Sequence, residues 1–282
     1  MMDQRFQDFC RQYKKNKLAV FGLILLLVMI LACIFAPLLT PYHYGAQSLP
    51  DRFQGPSSSH LFGTDEFGRD IFTRILYGGR ISFFVGLGST LVSLVLGSIL
   101  GALAGFFEGW LDAFIMRIMD IFLSIPQLVL AIAIAAALGG GIGNVVLAVS
   151  LSSLPRYARI MRGSVLSVKA QEYIEAARTT GASQGRILFA HILPNCLGPI
   201  IVQATIGVGV AILSAASLSF VGVGIAPPTP EWGGMLSTGR TYIRDYPHLT
   251  LFPGLAIALS IFALNVVGDG IRDAFDPKQR RA

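Results

Sequence analysis

Residues 165–195 read VLSVKAQEYIEAARTTGASQGRILFAHILPN, and the fold turns on what kind of segment this is. It is the longest moderately polar run between two very apolar ones, and Lys169, Arg178 and Arg186, with Arg162 just upstream, make it basic. Nothing breaks a helix from Lys169 to Thr179, and Tyr173, Ile174 and Ala177 recur at helical spacing. Gly181 permits the left-handed backbone that stops such a helix. Ser183 then fits the N-cap of a second short helix, Gln184 to Ile192, which Pro194 is expected to end. The spacing predicts a helix–turn–helix with a compact Ala176–Ala177 face and a glutamate at 175. Such a unit either projects rigidly into a groove on another protein or only joins its neighbours; the residue pattern fits both.

Outward from this stretch the chain is apolar. Of its 282 residues 53% are hydrophobic and 13% charged, against about a quarter charged in an ordinary soluble domain. The deficit is concentrated in windows long enough for the roughly 20 residues that cross a hydrocarbon layer. Glycine and proline enter these windows, with Gly86, Gly88, Gly97, Gly101 and Gly105 as close-packing positions of one span and Pro126 inside another, as close-packed, kinked membrane helices allow. This predicts an all-α integral membrane protein. The net charge of +6 lies at span ends and loops, so it points to membrane orientation and not to nucleic acid.

Six crossings are expected. A basic segment, 1–17, precedes an uncleaved first helix over 18–39. A polar loop over 40–80 follows, in which Asp65–Arg69 and Asp70–Arg74 stand at i,i+4 and Phe67, Ile71, Ile75 and Leu76 share a face. That pattern predicts an amphipathic helix, either lying on the membrane surface or simply capping the bundle. A core of five crossings fills 81–270. Its spans are Ile81–Phe106, a third from about 112 to Leu138 kinked at Pro126, Ile142–Leu154 with a helical extension, Leu197–Gly222, and Leu249–Val267. A tail, 271–282, closes the chain. Six crossings place both basic termini and the 165–195 stretch on one side, the cytoplasmic one by the positive-inside rule, and leave the 40–80 loop outside.

EAARTTGASQGRILFAHILP resembles the EAA-x3-G-x9-I-x-LP signature of permease subunits of bacterial ABC importers. Glu175, Ala176, Ala177, Gly181, Leu193 and Pro194 match, while His191 stands where isoleucine is usual. The ending His-x-Leu-Pro-Asn resembles the dipeptide, oligopeptide and nickel branch, as do Phe62–Asp70, Ile115–Asp120, Pro228–Gly233 and Gly268–Asp273, so the resemblance covers nearly the whole chain from Lys17. It implies a type I importer permease fold. It further implies that residues 165–195 form a coupling helix seated on an ATPase subunit through Glu172, Tyr173, Glu175, Ala176, Ala177, Gly181, Ala182, His191, Leu193 and Pro194. The implied partners are a homologous second permease, one or two cytoplasmic ATPase subunits that use ATP and magnesium, an extracytoplasmic substrate-binding protein, and the peptide itself. Glutathione or nickel are the alternative cargoes.

No G-x-x-x-x-G-K-[ST] phosphate loop occurs, so ATP hydrolysis and a bound cofactor are not expected on this chain. Cys10, Cys33 and Cys196, and the four scattered histidines, lack metal-ligand spacing. Asp120 reads as an interfacial partner of Arg117. Asn144, Ser214, Ser217 and Asn265 fit either a translocation path or bonding between helices. Glu231 and Trp232 fit contact with the binding protein, and Trp232 also fits an interfacial anchor. A stand-alone secondary transporter would need charges inside its spans, which are nearly free of them. An intramembrane enzyme would need a catalytic constellation there, and none is present.

Overall fold

The structure is a computed structural model that describes residues 10–275; Lys278, Arg280 and Arg281 of the basic tail, like residues 1–9, lie outside the described residues. The described chain is all-helical: α1 (Lys17–Ile34), α2 (Ile71–Phe107), α3 (Gly109–Leu123), α4 (Gln127–Leu138), α5 (Ile142–Lys169), α6 (Glu172–Thr179), α7 (Leu193–Val221), α8 (Trp232–Gly239) and α9 (His248–Phe275), with shorter turns between them. Helix α2 lies against α5 and α7, α7 against α9, and α9 against α1. Residues 165–195 sit at one end of this bundle, the loop end. Residues 40–70 and 226–247 cover the far end.

Small residues set the closest approach. Gly97, Gly101 and Gly105 recur every fourth position on α2 and face Leu154, Ala158 and Arg162 of α5. A Cβ at Gly97 would sit 2.7 Å from the Tyr157 Cβ and 2.8 Å from the Leu154 carbonyl oxygen. The two backbones therefore touch, which supplies dispersion contact where water gives no hydrophobic drive between helices.

Among the described residues, four helices are long and apolar enough to cross a membrane: Lys17–Ile34, Ile71–Phe107, Gln184–Val221 and His248–Phe275. Helices α3 and α4 make a fifth crossing only as a pair, bent by 89°. Six crossings were expected, so four or five are distinct. The difference lies in α5, whose apolar part ends at Leu154 and whose second half carries Arg156, Arg159, Arg162 and Lys169. Leu18, Phe21, Ile24, Val28 and Leu31 of α1 are about half exposed, as suits an apolar surround.

Several boundaries depart from expectation for identifiable reasons. Helix α1 stops at Ile34 because Pro37 has no N–H for the Cys33 carbonyl. The Arg80 guanidinium takes that role, donating to the Cys33 oxygen at 2.6 Å and the Ile34 oxygen at 2.8 Å, a cation at a helix C-terminus. The amphipathic helix expected within 40–80 is not a separate element. Asp70 accepts from the Thr73 amide at 2.7 Å and caps α2, so Ile71, Ile75 and Leu76 are buried first turns of a helix of 37 residues. The Asp65–Arg69 pair exists at 2.6 Å, but in a loop knot that also holds Glu66 at 3.2 Å from Arg69 and Arg74 at 3.5 Å from Asp65. Asp70 pairs with His60 at 3.0 Å and not with Arg74. Asp120 meets Arg159, at 2.5 Å, in place of Arg117.

Candidate functional site

The segment between α5 and α7 is a helix–turn–helix, with two changes. Helix α5 runs to Lys169 and breaks at Ala170–Gln171, so α6 starts at Glu172. Pro194 does not end the second helix. Residues Ile187–Ile192 wind in the wider π-helical register, and the chain passes through Pro194 into α7. That register absorbs the amide missing at Pro194, and Asn195 donates its side-chain N–H to the His191 carbonyl at 2.6 Å.

The turn follows from Gly181. Its φ of +81° is left-handed, and the flanking amides close a Schellman motif. Ala182 donates to the Ala177 carbonyl and Gly181 to the Arg178 carbonyl, each at 3.0 Å. Thr180 adds its hydroxyl to the Ala176 and Ala177 carbonyls at 3.0 Å. Ser183 caps the next turn, accepting from the Arg186 amide at 3.4 Å.

Three isoleucines fasten this unit to the bundle. Ile174, Ile187 and Ile192 are buried in one cluster with Phe106, Met161 and Val165, which joins the loop to the ends of α2 and α5. Lys169 ties the same corner, donating to the Phe106 carbonyl at 2.7 Å and pairing with Glu108 at 2.8 Å. The sequence reading missed Ile174 as the anchor, although it is the one large apolar side chain between Tyr173 and Ile187. Glu172, Tyr173, Glu175, Ala176, Gly181 and Pro194 are exposed, while Ala177, Ala182, His191 and Leu193 are half-buried. The result is a rigid ledge with a surface of charged and small residues, held from below by apolar contact.

The other expected residues are not brought together. Asn144 clasps the α4–α5 turn at the far end, donating to the Leu138 carbonyl at 2.8 Å and the Gly139 carbonyl at 3.1 Å. Ser217 bonds its own helix through the Leu213 carbonyl at 2.8 Å, Ser214 is buried, and Asn265 is exposed on the loop-end half of α9. Glu231 and Trp232 are packed inside the far end of the bundle, 3% and 1% exposed. The Trp232 N–H donates to the Ile75 carbonyl at 2.9 Å. Glu231 caps α8, accepting from the amides of Gly233 at 2.9 Å and Gly234 at 2.8 Å, and burial pushes its carboxyl above the ordinary range despite these donors.

One arrangement was not foreseen. Arg156, Arg159 and Arg162 stand three apart on α5, and α3 holds two of them. Arg162 forms a bidentate pair with Asp112, both bonds 2.6 Å, and Arg159 meets Asp120. Together with Arg117 these four side chains line an open cleft of about 590 Å³.

The comparisons with known proteins agree with this architecture. Residues 97–281 match the family model described as binding-protein-dependent transport system inner membrane component. Residues 4–56 match the N-terminal TM domain of oligopeptide transport permease C. The dipeptide transport system permease protein DppC of Alkalihalophilus pseudofirmus is 50% identical over 98% of this chain and 90% of its own length. The glutathione transport system permease protein GsiD of Salmonella typhimurium is 47% identical over 97% of this chain and 90% of its own. A chain from the inward-facing MetNI methionine ABC transporter superposes with a TM-score of 0.60 at 19% identity, covering 72% of this chain and 97% of that one, a likeness of fold. The chain belongs to the family of binding-protein-dependent transport system inner membrane components, the permease subunits of ABC importers, in its dipeptide, oligopeptide and nickel branch.

Proposed function

We propose that this chain is one of two permease subunits of an importer that carries small peptides inward across the bacterial cytoplasmic membrane, driven by separate ATPase subunits. The observation that carries this reading is the ledge at 165–195. Its exposed Glu172, Tyr173, Glu175 and Ala176 carry the family's docking signature, and its buried isoleucines transmit any displacement directly to α2, α5 and α7. An ATPase subunit that moves on closing around ATP would drag the ledge, and the bundle would change from inward- to outward-facing as one body.

In this reading the loop end is cytoplasmic, α5 completes six crossings, and the knotted 40–70 segment faces the binding protein outside. Peptide is the favoured cargo because relatives along the full chain are named for di- and tripeptide transport. Glutathione is the second reading, carried by the relative at 47% identity.

Gly181→Val tests the docking role. A β-branched residue at φ +81° costs about 1–2 kcal/mol of backbone strain and deforms the turn. No neighbour lies within 4 Å of the added Cβ, so the bundle itself is untouched. Expected are normal membrane insertion, weakened co-purification with the ATPase subunits, and hydrolysis no longer coupled to uptake. Full co-purification with full uptake would reject docking at this turn. Competition for uptake among a dipeptide, a longer peptide and glutathione separates the two cargo readings.

A further inference from the structure

Arg156 is the third rung of the α5 arginine series, and it differs from the other two. Arg162 and Arg159 each face a carboxylate of α3, Asp112 and Asp120. At the next level α3 has ended at Leu123 and the chain has turned by 89° into α4, whose first residue is Gln127. At this level Arg156 shares a cavity with the neutral amide of Gln127. Among the described residues no carboxylate lies within ion-pair distance of it.

The position is also unusual in depth. Arg156 is at the middle of α5, level with Thr90 near the middle of α2 and Gln203 near the middle of the helix Gln184–Val221. Thr90, Gln127, Ser153, Arg156, Tyr157 and Gln203 border one small cavity of about 10 Å³, the room of about one water. Gln127 is already oriented within it, donating to the Ser153 hydroxyl oxygen at 2.9 Å. Arg156 itself is exposed, at the mouth of this polar pocket. A guanidinium beside a polar pocket halfway along the bundle, with no fixed counter-charge, marks a pathway or a site.

We propose that Arg156, with Gln127 and Gln203 beside it, is a station for the carboxylate of the transported peptide, an inference that rests on the peptide-importer reading above. The guanidinium fork fits a carboxylate through two parallel N–H donors. The two glutamines offer donors and acceptors to the adjoining peptide groups. A peptide leaving its binding protein must carry its terminal carboxylate through a poorly polar passage, and Arg156 replaces the water that charge loses. Asp112 and Asp120 pair with Arg162 and Arg159, so the one rung without a fixed partner takes a mobile one.

The test uses the complete importer in proteoliposomes, with internal ATP and saturating binding protein. The probes are two labelled tripeptides alike except for a free acid or an amide at the C-terminus. Arg156→Gln is expected to lower free-acid uptake about ten- to a hundredfold and to bring the acid-to-amide ratio toward one. Arg156→Lys is expected to retain the preference. Gln127→Glu is expected to cut free-acid uptake as well, because it gives Arg156 a fixed partner in competition with the peptide. Equal loss for acid and amide, or unimpaired free-acid uptake with Gln127→Glu, overturns the station and leaves Arg156 a structural charge. Loss of the partner permease from purified Arg156→Gln overturns it also, in favour of a carboxylate on that partner. Absence of ATP-driven uptake of either peptide by the unmodified complex removes the peptide-importer reading itself, and the station with it.

Discussion

Trp232 shows how a residue typical of membrane interfaces and contact surfaces serves instead as the pin of the far end. Its ring packs edge-on against Phe83 at 5.4 Å, its N–H is bonded to Ile75, and it is 1% exposed. Trp232→Ala is expected to lower the stability of the detergent-solubilised protein by about 3–5 kcal/mol, and Trp232→Phe by about 1 kcal/mol for the lost hydrogen bond. Equal melting temperatures for the three proteins would contradict this placement. Glu66 has a different signature. Burial, then the Asp65 charge, raise its carboxyl above the ordinary value against the pull of Arg69 and Arg74. A carboxyl raised in the folded state binds more protons there than when unfolded. Stability is thus fullest below the unfolded value near 4.3 and falls as pH rises through the folded one. Thermal melts across that window should show this decline in the unmodified protein and a smaller one in Glu66→Gln, where Glu231 keeps its own share. A decline of equal size in both would contradict it.

At the scale of elements, the α2–α5 pair depends on glycine. Gly101 lies under Ala158 and Met161 so closely that any side chain meets the α5 backbone. Gly101→Leu is expected to separate the pair at a cost of at least about 1–3 kcal/mol and to abolish accumulation of folded protein; normal yield and melting behaviour would contradict this packing. Much of this was legible in the sequence. The spacing of Gly97, Gly101 and Gly105 announced a close-packed helix, and Gly181 announced the turn, because each is a local backbone requirement. The kink expected at Pro126 falls where α3 and α4 are bent by 89°, whereas the π-helical passage before Pro194, the partner of Asp120 and the burial of Glu231 were not legible. They depend on which side chain meets a freed carbonyl or a charge: Asn195 for His191, Arg159 for Asp120, Ser82 for Glu231. The reading failed furthest at 65–76, where i,i+4 charge spacing suggested a surface helix. Asp65 instead folds the loop back, accepting from the Phe67 and Arg69 amides at 2.9 Å. Side-chain bonding to nearby backbone competes with helix there and wins.

For the whole molecule, the far end is knotted and the loop end is a ledge. Phe53 stacks on Tyr246 at 4.3 Å and Phe62 on Phe252 at 4.1 Å, so the 40–70 segment is bound to the start of α9. Between the two ends, α2, α5 and α7 pass without interruption from ledge to knot, which suits a bundle that moves as a body about its interfaces. Such a bundle has no energy source of its own. The measurement that bears most directly on it is uptake of a labelled dipeptide into proteoliposomes holding this chain with the proposed partner permease and binding protein, with and without the proposed ATPase subunits. ATP-dependent accumulation only when the ATPase subunits are present, and its loss in Gly181→Val, is the expected result. Equal accumulation without them would contradict the assignment of residues 165–195 as the place where force enters.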